Sequence, residues 1–168
     1  MRWVAATRTQ ITKHMTSEGA TVPQHSGTPV REMHGALEFS KTISESDVYL
    51  FAGITGDFFP VHIDAQYAAR QPVGERVAHG ALLIGLMSTA AARWALREGL
   101  DILSYGYDGV RFIKPVKFGD TITIAYAKVH EDPTGHKYFT RVDAHNQRGE
   151  LVGVAQHIVW LTGEAGTR

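Results

Sequence analysis

The feature that most constrains the fold is a run from Gly80 to Ala92 that carries no charge until Arg93. Its residues are apolar or small on every side of a helix, and such a helix is buried in a core or a membrane. The run is well short of the roughly 20 residues that span a bilayer. The sequence therefore predicts a long helix buried in a protein core, ending near Gly99, because left-handed geometry is common just after a helix.

The start of this predicted helix lacks a capping residue, since no Ser, Thr, Asp or Asn stands at positions 77–80. The first amides of a helix have no partner within it and carry the positive end of its dipole. At Gly80 a ligand can approach the backbone closely, so these amides could hold an oxyanion. In the alternative interpretation, His79 or a water molecule caps the helix, and the segment alone leaves both open.

Period-two patterns follow the helix and predict four strands, at residues 103–112, 121–130, 137–145 and 151–161. Ahead of it, residues 36–43 can form a strand, Ser44 can cap a helix that ends near Gly56, and residues 64–70 can form a short helix. A curved antiparallel sheet wrapped around one helix explains why that helix is apolar all round. The predicted fold class is therefore α+β, with the hot-dog architecture.

The chain length of 168 residues suits one domain. Residues 1–34 show no sustained period and are predicted to be a flexible extension, followed by a domain at 35–163 and a tail at 164–168. The 17 basic and 17 acidic residues cancel, so nothing indicates nucleic acid or a membrane surface as partner. The absence of cysteine excludes thiolate catalysis, disulfides and cysteine-based zinc sites. We expect a cytoplasmic protein, or a mitochondrial matrix protein if the source is eukaryotic.

An acid and an imidazole, Asp57 and His62, lie five positions apart on either side of Pro60. A turn at Pro60 would let them share one water molecule, and an imidazole can accept and return a proton near neutral pH. Taken singly, Asp57 would more commonly cap a turn, and His62 would more commonly be a buried, hydrogen-bonded histidine. The histidines outside this region show no metal-ligand spacing, so no metal site is predicted.

Residues 56–62 resemble the signature loop of the MaoC-like, R-specific enoyl-CoA hydratase (hydratase 2) family. The likeness continues through residues 78–80 and 110–120 and covers about residues 36–162. One position departs, because the family usually has Asn where this chain has Phe59. We expect Phe59 to pack inward, to fix the loop by contact and to line the acyl pocket; in the alternative, the ring is not accommodated and the loop loosens.

The resemblance implies reversible addition of water across the 2,3 double bond of a 2-enoyl thioester. Asp57 and His62 would handle the protons, the Gly80 amide would hold the thioester oxygen, and Ser88 would support the catalytic acid. Phe59, His79 and Arg111 are predicted to contact substrate, with Arg111 near coenzyme A phosphates.

No metal or redox cofactor is expected, and coenzyme A or an acyl carrier would enter as part of the substrate. A homodimer or a dimer of dimers is expected. The alternatives are a hot-dog thioesterase and a non-catalytic acyl-thioester-binding subunit.

Overall fold

The computed structural model describes residues 28–162. Strands β1 to β5 span Leu37–Thr42, Ile102–Phe112, Thr121–Glu131, Lys137–His145 and Leu151–Leu161. Helices α1 to α4 span Glu45–Thr55, Pro60–Ile63, Ala65–Ala69 and Gly80–Glu98, and a 3-10 turn covers Val30–Glu32. The strands form one antiparallel sheet in the order β1-β3-β4-β5-β2.

Helix α4 packs along one face of this sheet and forms the main core with it. Met87 of α4 and Ile122, Ile124 and Tyr126 of β3 are fully buried in this core. Alternate side chains of a strand point to opposite faces, so this burial places the even-numbered residues of β3 toward the helix. The α+β class and the hot-dog architecture predicted from the sequence are confirmed.

Local sequence signals placed most elements correctly. The bounds of β4 and β5 match the prediction, and the bounds of β2 and β3 differ from it by one residue each. Ser44 and Asp47 form a reciprocal capping box at the start of α1. Gly56 ends α1 with a φ of 78°, a left-handed conformation that glycine adopts without steric strain.

The prediction that the long helix is buried on every side is wrong for a single chain. One side packs on the sheet, while Ala81, Gly85, Ser88, Ala92 and Leu96 are exposed. These five residues follow one another at intervals of three or four, so they form a stripe along one side of α4. The sheet covers only one face of the helix, and the apolar stripe is left on the other. No helix among residues 28–162 is long and apolar enough to cross a membrane.

The 3-10 turn packs on the sheet face opposite α4. Val30 is fully buried against Ala125 and Ala127 of β3. The predicted division into an extension, a domain and a tail stays a prediction, because residues 1–27 and 163–168 lie outside the described residues. Within the described part, the burial of Val30 shows that contacts with the sheet begin ahead of residue 35.

Candidate active site

The loop after α1 presents the Asp57 carboxylate. The Asp57 amide donates to the Thr55 hydroxyl at 3.3 Å, and the Phe59 amide donates to Asp57 Oδ1 at 3.2 Å. This is the turn-capping role that aspartate commonly has after glycine. The bond uses only one carboxylate oxygen, and the side chain is 53% exposed. The turn therefore fixes the carboxylate while Oδ2 stays available.

Helix α2 brings His62 back toward Asp57. Pro60 is suited to the first position of a helix, where its missing amide hydrogen is not needed. His62 Nδ1 lies 2.8 Å from the Val77 carbonyl oxygen, which can only accept a hydrogen bond. Nδ1 therefore carries the proton of the neutral ring, and Nε2 is left as a free base. Val77 is itself held by a bridge to Lys117, so the carbonyl that orients the ring is anchored.

His79 lies beneath this pair and is only 2% exposed. Its ring stacks on that of His62 with 3.8 Å between centroids, and its Nε2 is 2.9 Å from the Asp57 carbonyl oxygen. Nε2 is also 3.9 Å from Asp57 Oδ2. The substrate contact predicted for His79 stays a prediction, whereas within this cluster its ring contacts His62 and its Nε2 bonds the Asp57 backbone. The sequence analysis did not predict this stack, and the Ala78-His79-Gly80 motif was the only sequence signal for it.

Gly80 begins α4 without a side-chain cap, so the alternative that the His79 side chain caps the helix is wrong. The amide end of α4 borders a pocket of about 210 Å³, lined among others by Ala78, Leu83, Phe112 and Val116. A Cβ atom at position 80 would lie 2.6 Å from the Phe112 ring. Any larger residue would crowd this ring, so glycine suits both the close approach and access to the amide. Phe112 lies in the part of the sequence that resembles the family, but it was not predicted as a site residue.

Phe59 packs beside the site but is not buried. Its ring meets those of His62 and Tyr67 edge-on, with centroid distances of 6.4 and 6.1 Å, and the residue is 55% exposed. Its carbonyl accepts the His62 amide at 2.9 Å, so the loop is regular around it. The structure therefore accommodates Phe59 by edge-on contact, but the ring does not pack inward as we expected.

Ser88 and Arg111 lie apart from the three clustered residues. Ser88 is on the exposed stripe of α4, and no hydrogen bond among residues 28–162 joins it to Asp57 or His62. Burial raises the pKa of the Tyr107 hydroxyl, and the nearby Ser88 opposes part of that rise, although the Tyr107 oxygen has no partner in hydrogen-bond geometry. Arg111 is exposed on β2 and donates to the Val110 carbonyl at 2.8 Å.

The cluster is built for proton transfer more than for metal binding. One potential ligand atom of each of Asp57, His62 and His79 lies within 4.8 Å of the others, a grouping that could hold a metal ion. However, the two imidazole planes are stacked at 28°, and nitrogen lone pairs lie in the ring planes. Lone pairs of stacked rings do not converge on one point, so a ring would have to turn before both could bind one ion. A free imidazole nitrogen beside a carboxylate can instead share and move the proton of a water molecule.

Comparisons with known proteins point in one direction. The family model for the MaoC like domain matches residues 29–147. The chain is 39% identical over 88 residues to the (R)-specific enoyl-CoA hydratase of Rhodospirillum rubrum, covering 52% of this chain and 59% of that protein. It is 43% identical over 86 residues to Protein MaoC of Klebsiella aerogenes, covering 50% of this chain and 24% of that protein. The chain thus spans less than two thirds of the length of either relative.

A solved structure extends the likeness over a larger share of the chain. The unliganded R-hydratase PhaJ1 from Pseudomonas aeruginosa superposes with a TM-score of 0.66 at 31% sequence identity. The superposition covers 77% of this chain and 81% of the other. The fold and the family-model match therefore agree over most of the described residues.

Proposed function

We propose that this chain, which belongs to the MaoC-like domain family, catalyses the reversible addition of water across the 2,3 double bond of a 2-enoyl thioester. The observation that carries the proposal is the free Nε2 of His62. Its ring is fixed through Nδ1, next to the Asp57 carboxylate and near the uncapped start of α4. The named hydratases among its relatives support the same reaction.

In the proposed reaction, one water molecule lies between His62 Nε2 and Asp57 Oδ2. The water oxygen bonds to C3 of the enoyl group while the imidazole takes a proton from the water. The π electrons of the double bond move to C2 and the thioester carbonyl. The Gly80 amide stabilises the negative charge that forms on the thioester oxygen. The imidazole then returns its proton to C2, so that the elements of one water molecule have been added.

No metal or redox cofactor is required by this scheme, because no electrons are transferred and the helix amide holds the developing charge. The substrate is proposed to be a coenzyme A or acyl-carrier thioester. Of the basic residues near the pocket, Lys114 is paired with Glu150 at 2.7 Å and Lys117 with Glu75 at 2.6 Å. Arg111 has no ion pair among the described residues, and this supports its proposed contact with a substrate phosphate.

The assay that tests the reaction follows crotonyl-CoA by two signals at once. Loss of the conjugated absorbance without release of free thiol is the expected result. Release of thiol would identify a thioesterase instead, and binding without either change would identify a non-catalytic acyl-thioester-binding subunit. Activity that survives a chelator would support the scheme without a metal.

We further propose that the protein is a homodimer or a dimer of dimers. The exposed stripe of α4 defined above is apolar or small, and β2 is an 11-residue strand at the edge of the sheet. Such edges are usually covered or paired in native proteins. Light scattering is expected to give two or four times the mass of one chain, and a stable monomer at micromolar concentration would contradict this assembly.

A further inference from the structure

The buried histidine of the site makes contacts that packing alone does not explain. The ring of His79 stacks on that of His62 and also meets the Phe51 ring at a tilt, with 5.0 Å between centroids. Its Nε2 donates to the Asp57 carbonyl, whereas its Nδ1 is buried without a hydrogen-bond partner. A buried polar atom without a partner destabilises the folded chain. A phenylalanine would stack as well and would bury no unpaired nitrogen.

The two contacts of His79 reach both halves of the proton-handling pair. The stack bears on the ring of His62, and the hydrogen bond holds the backbone of Asp57. These residues belong to different segments, since Asp57 is in the loop after α1 and His62 is in α2. His79 immediately precedes Gly80, so the same residue joins both segments to the amide end of α4.

We propose that His79 is a positioning residue that holds the His62 ring in its productive orientation and fixes Asp57 relative to it. Stacking leaves the ring free to move within its plane but resists tilting, and the bond from Nδ1 to the Val77 carbonyl then selects one orientation. His79 acts through the other two residues and does not itself move a proton. The effect on rate rests on the proposed hydratase function, whereas the orientation of His62 does not.

The other groups around His62 do not supply this support. Asp57 and His79 each have a polar side-chain atom within 4.8 Å of a ring nitrogen of His62. Farther away, the Tyr49 hydroxyl reaches the Ile63 carbonyl at 3.5 Å and accepts from Arg76 at 2.6 Å. That bond steadies the end of α2 but makes no contact with the imidazole. The ring plane of His62 is therefore set from below by His79, with Phe59 only at its edge.

Two substitutions separate the two contacts. His79→Gln retains an amide donor for the Asp57 carbonyl but removes the aromatic face. His79→Phe retains the face but removes the donor. The matched control is His157→Phe, which makes the second change in a buried histidine that is stacked on Tyr107 in the core. Two-bond proton–nitrogen correlation spectra report which imidazole nitrogen of His62 carries the proton, and the His62→Ala spectrum identifies the signals.

We expect the wild type, His79→Phe and His157→Phe to keep the His62 proton on Nδ1. We expect His79→Gln to give a mixture of the two His62 tautomers. We expect both His79 variants to lower kcat by about 10- to 100-fold with little change in KM, because small misplacements of reacting groups have effects of this size. The control should keep the wild-type kcat. A His79→Gln protein that keeps the single tautomer and the wild-type kcat would overturn the proposal, whatever its melting temperature.

The design keeps this test apart from the test of function. If wild type has no hydratase activity, the proposed function fails, and the tautomer of His62 still decides whether His79 positions it. If His79→Gln does not fold, His79→Phe decides through kcat, with His157→Phe as its reference; an unchanged kcat would overturn the role of the Asp57 bond.

Discussion

Among the imidazole rings that stack on another ring in residues 28–162, those of His157 and His62 differ in what their nitrogens bind. In the core, His157 of β5 stacks on Tyr107 with 4.0 Å between centroids and 4° between planes. Its Nε2 bonds Ser104 at 2.9 Å and its Nδ1 bonds Tyr126 at 3.0 Å. At the candidate site, His62 stacks on His79 at a similar distance, but the Nε2 of His62 has no hydrogen-bond partner among the described residues.

The difference shows that a stacked histidine can serve either to hold the fold together or to transfer protons. Burial lowers the pKa of His157 to about 4, so it stays neutral at physiological pH, and both of its nitrogens are already used. It can therefore hold strands together but cannot exchange protons with a substrate. His62 is held by one nitrogen only, and the other faces the carboxylate and the solvent side of the loop. A free nitrogen on an otherwise fixed ring is what separates the candidate base from the core histidine.

The strongest way to break this comparison is to remove the groups at the site. Asp57→Asn keeps the side-chain shape but removes the charge, and His62→Ala removes the proton carrier. Loss of a positioned acid–base group typically lowers the rate by about 10²- to 10⁴-fold, so we expect hydration of crotonyl-CoA to fall by that factor. Both variants should keep the wild-type circular dichroism spectrum and melting temperature within a few degrees. Near wild-type turnover by either one would exclude this mechanism.

The reciprocal change is His157→Phe, which should affect stability and leave the rate alone. At pH 7.5 it leaves the Ser104 and Tyr126 hydroxyls without their partner, and we expect a loss of about 1–3 kcal/mol in the free energy of unfolding. The ring still stacks on Tyr107, so the core is not emptied. Urea unfolding and the crotonyl-CoA assay, run on the same preparations, check both halves of this expectation.

The pH dependence of this loss follows from the lowered pKa. The unfolded chain protonates His157 near its ordinary value of 6.5, whereas the native chain does so only at about 4. Wild type therefore loses stability as the pH falls from 6.5 to 4, by about 2–3 kcal/mol from this residue. The variant has no such group, so the gap between the two proteins should narrow over that range. A gap that stays constant with pH would contradict the burial of a neutral His157.

How much of this comparison the sequence could predict depends on the range of the contacts. The strand bounds and the capping box at Ser44 depend on residues close in sequence. The strand bounds were predicted to within one residue, and the capping box was predicted at the position where the structure has it. The pairing of Asp57 with His62 was predicted from a turn at Pro60 together with the resemblance to the family's signature loop. The stack of His62 on His79 joins residues 17 positions apart, and no local period records such a contact. The exposed side of α4 was missed for a related reason, since composition shows that a side is apolar but not what covers it.

A smaller effect is expected where the site has room for a ligand. Gly80→Ala keeps the backbone amide but places a Cβ within 2.6 Å of the Phe112 ring. Such crowding commonly amounts to about 1–3 kcal/mol, so we expect kcat/KM to fall by about 10-fold or more. The Phe112 ring is 49% exposed and can be removed without opening the main core. The double variant with Phe112→Ala should recover part of the loss, and additive effects of the two changes would show that the ring is not the cause.

The smallest effect is expected at Phe59, where the chain departs from its family. The loop does not depend on this side chain for hydrogen bonds. The backbone amide of Phe59 donates to Asp57 Oδ1, and its backbone carbonyl accepts from the His62 amide. Since the ring is 55% exposed, Phe59→Asn should change the free energy of unfolding by less than about 1 kcal/mol. Its edge contact with His62 places it beside the reacting groups, where it can limit which acyl chains fit.

The measurement is therefore the ratio of kcat/KM between short and long 2-enoyl-CoA substrates. Phe59→Asn should change this ratio by several-fold, about 1 kcal/mol or less. Phe58→Asn is the matched control, because Phe58 is equally exposed at 56% and makes no ring contact among residues 28–162. The control should leave the ratio unchanged, since its ring does not meet His62. An inactive wild type that gains hydratase activity only with Phe59→Asn would instead show that the phenyl ring loosens the loop and separates the base from its carboxylate. In that case the site would have kept its residues but lost their alignment. The free nitrogen of His62 would then no longer distinguish a catalytic histidine from the structural histidine His157.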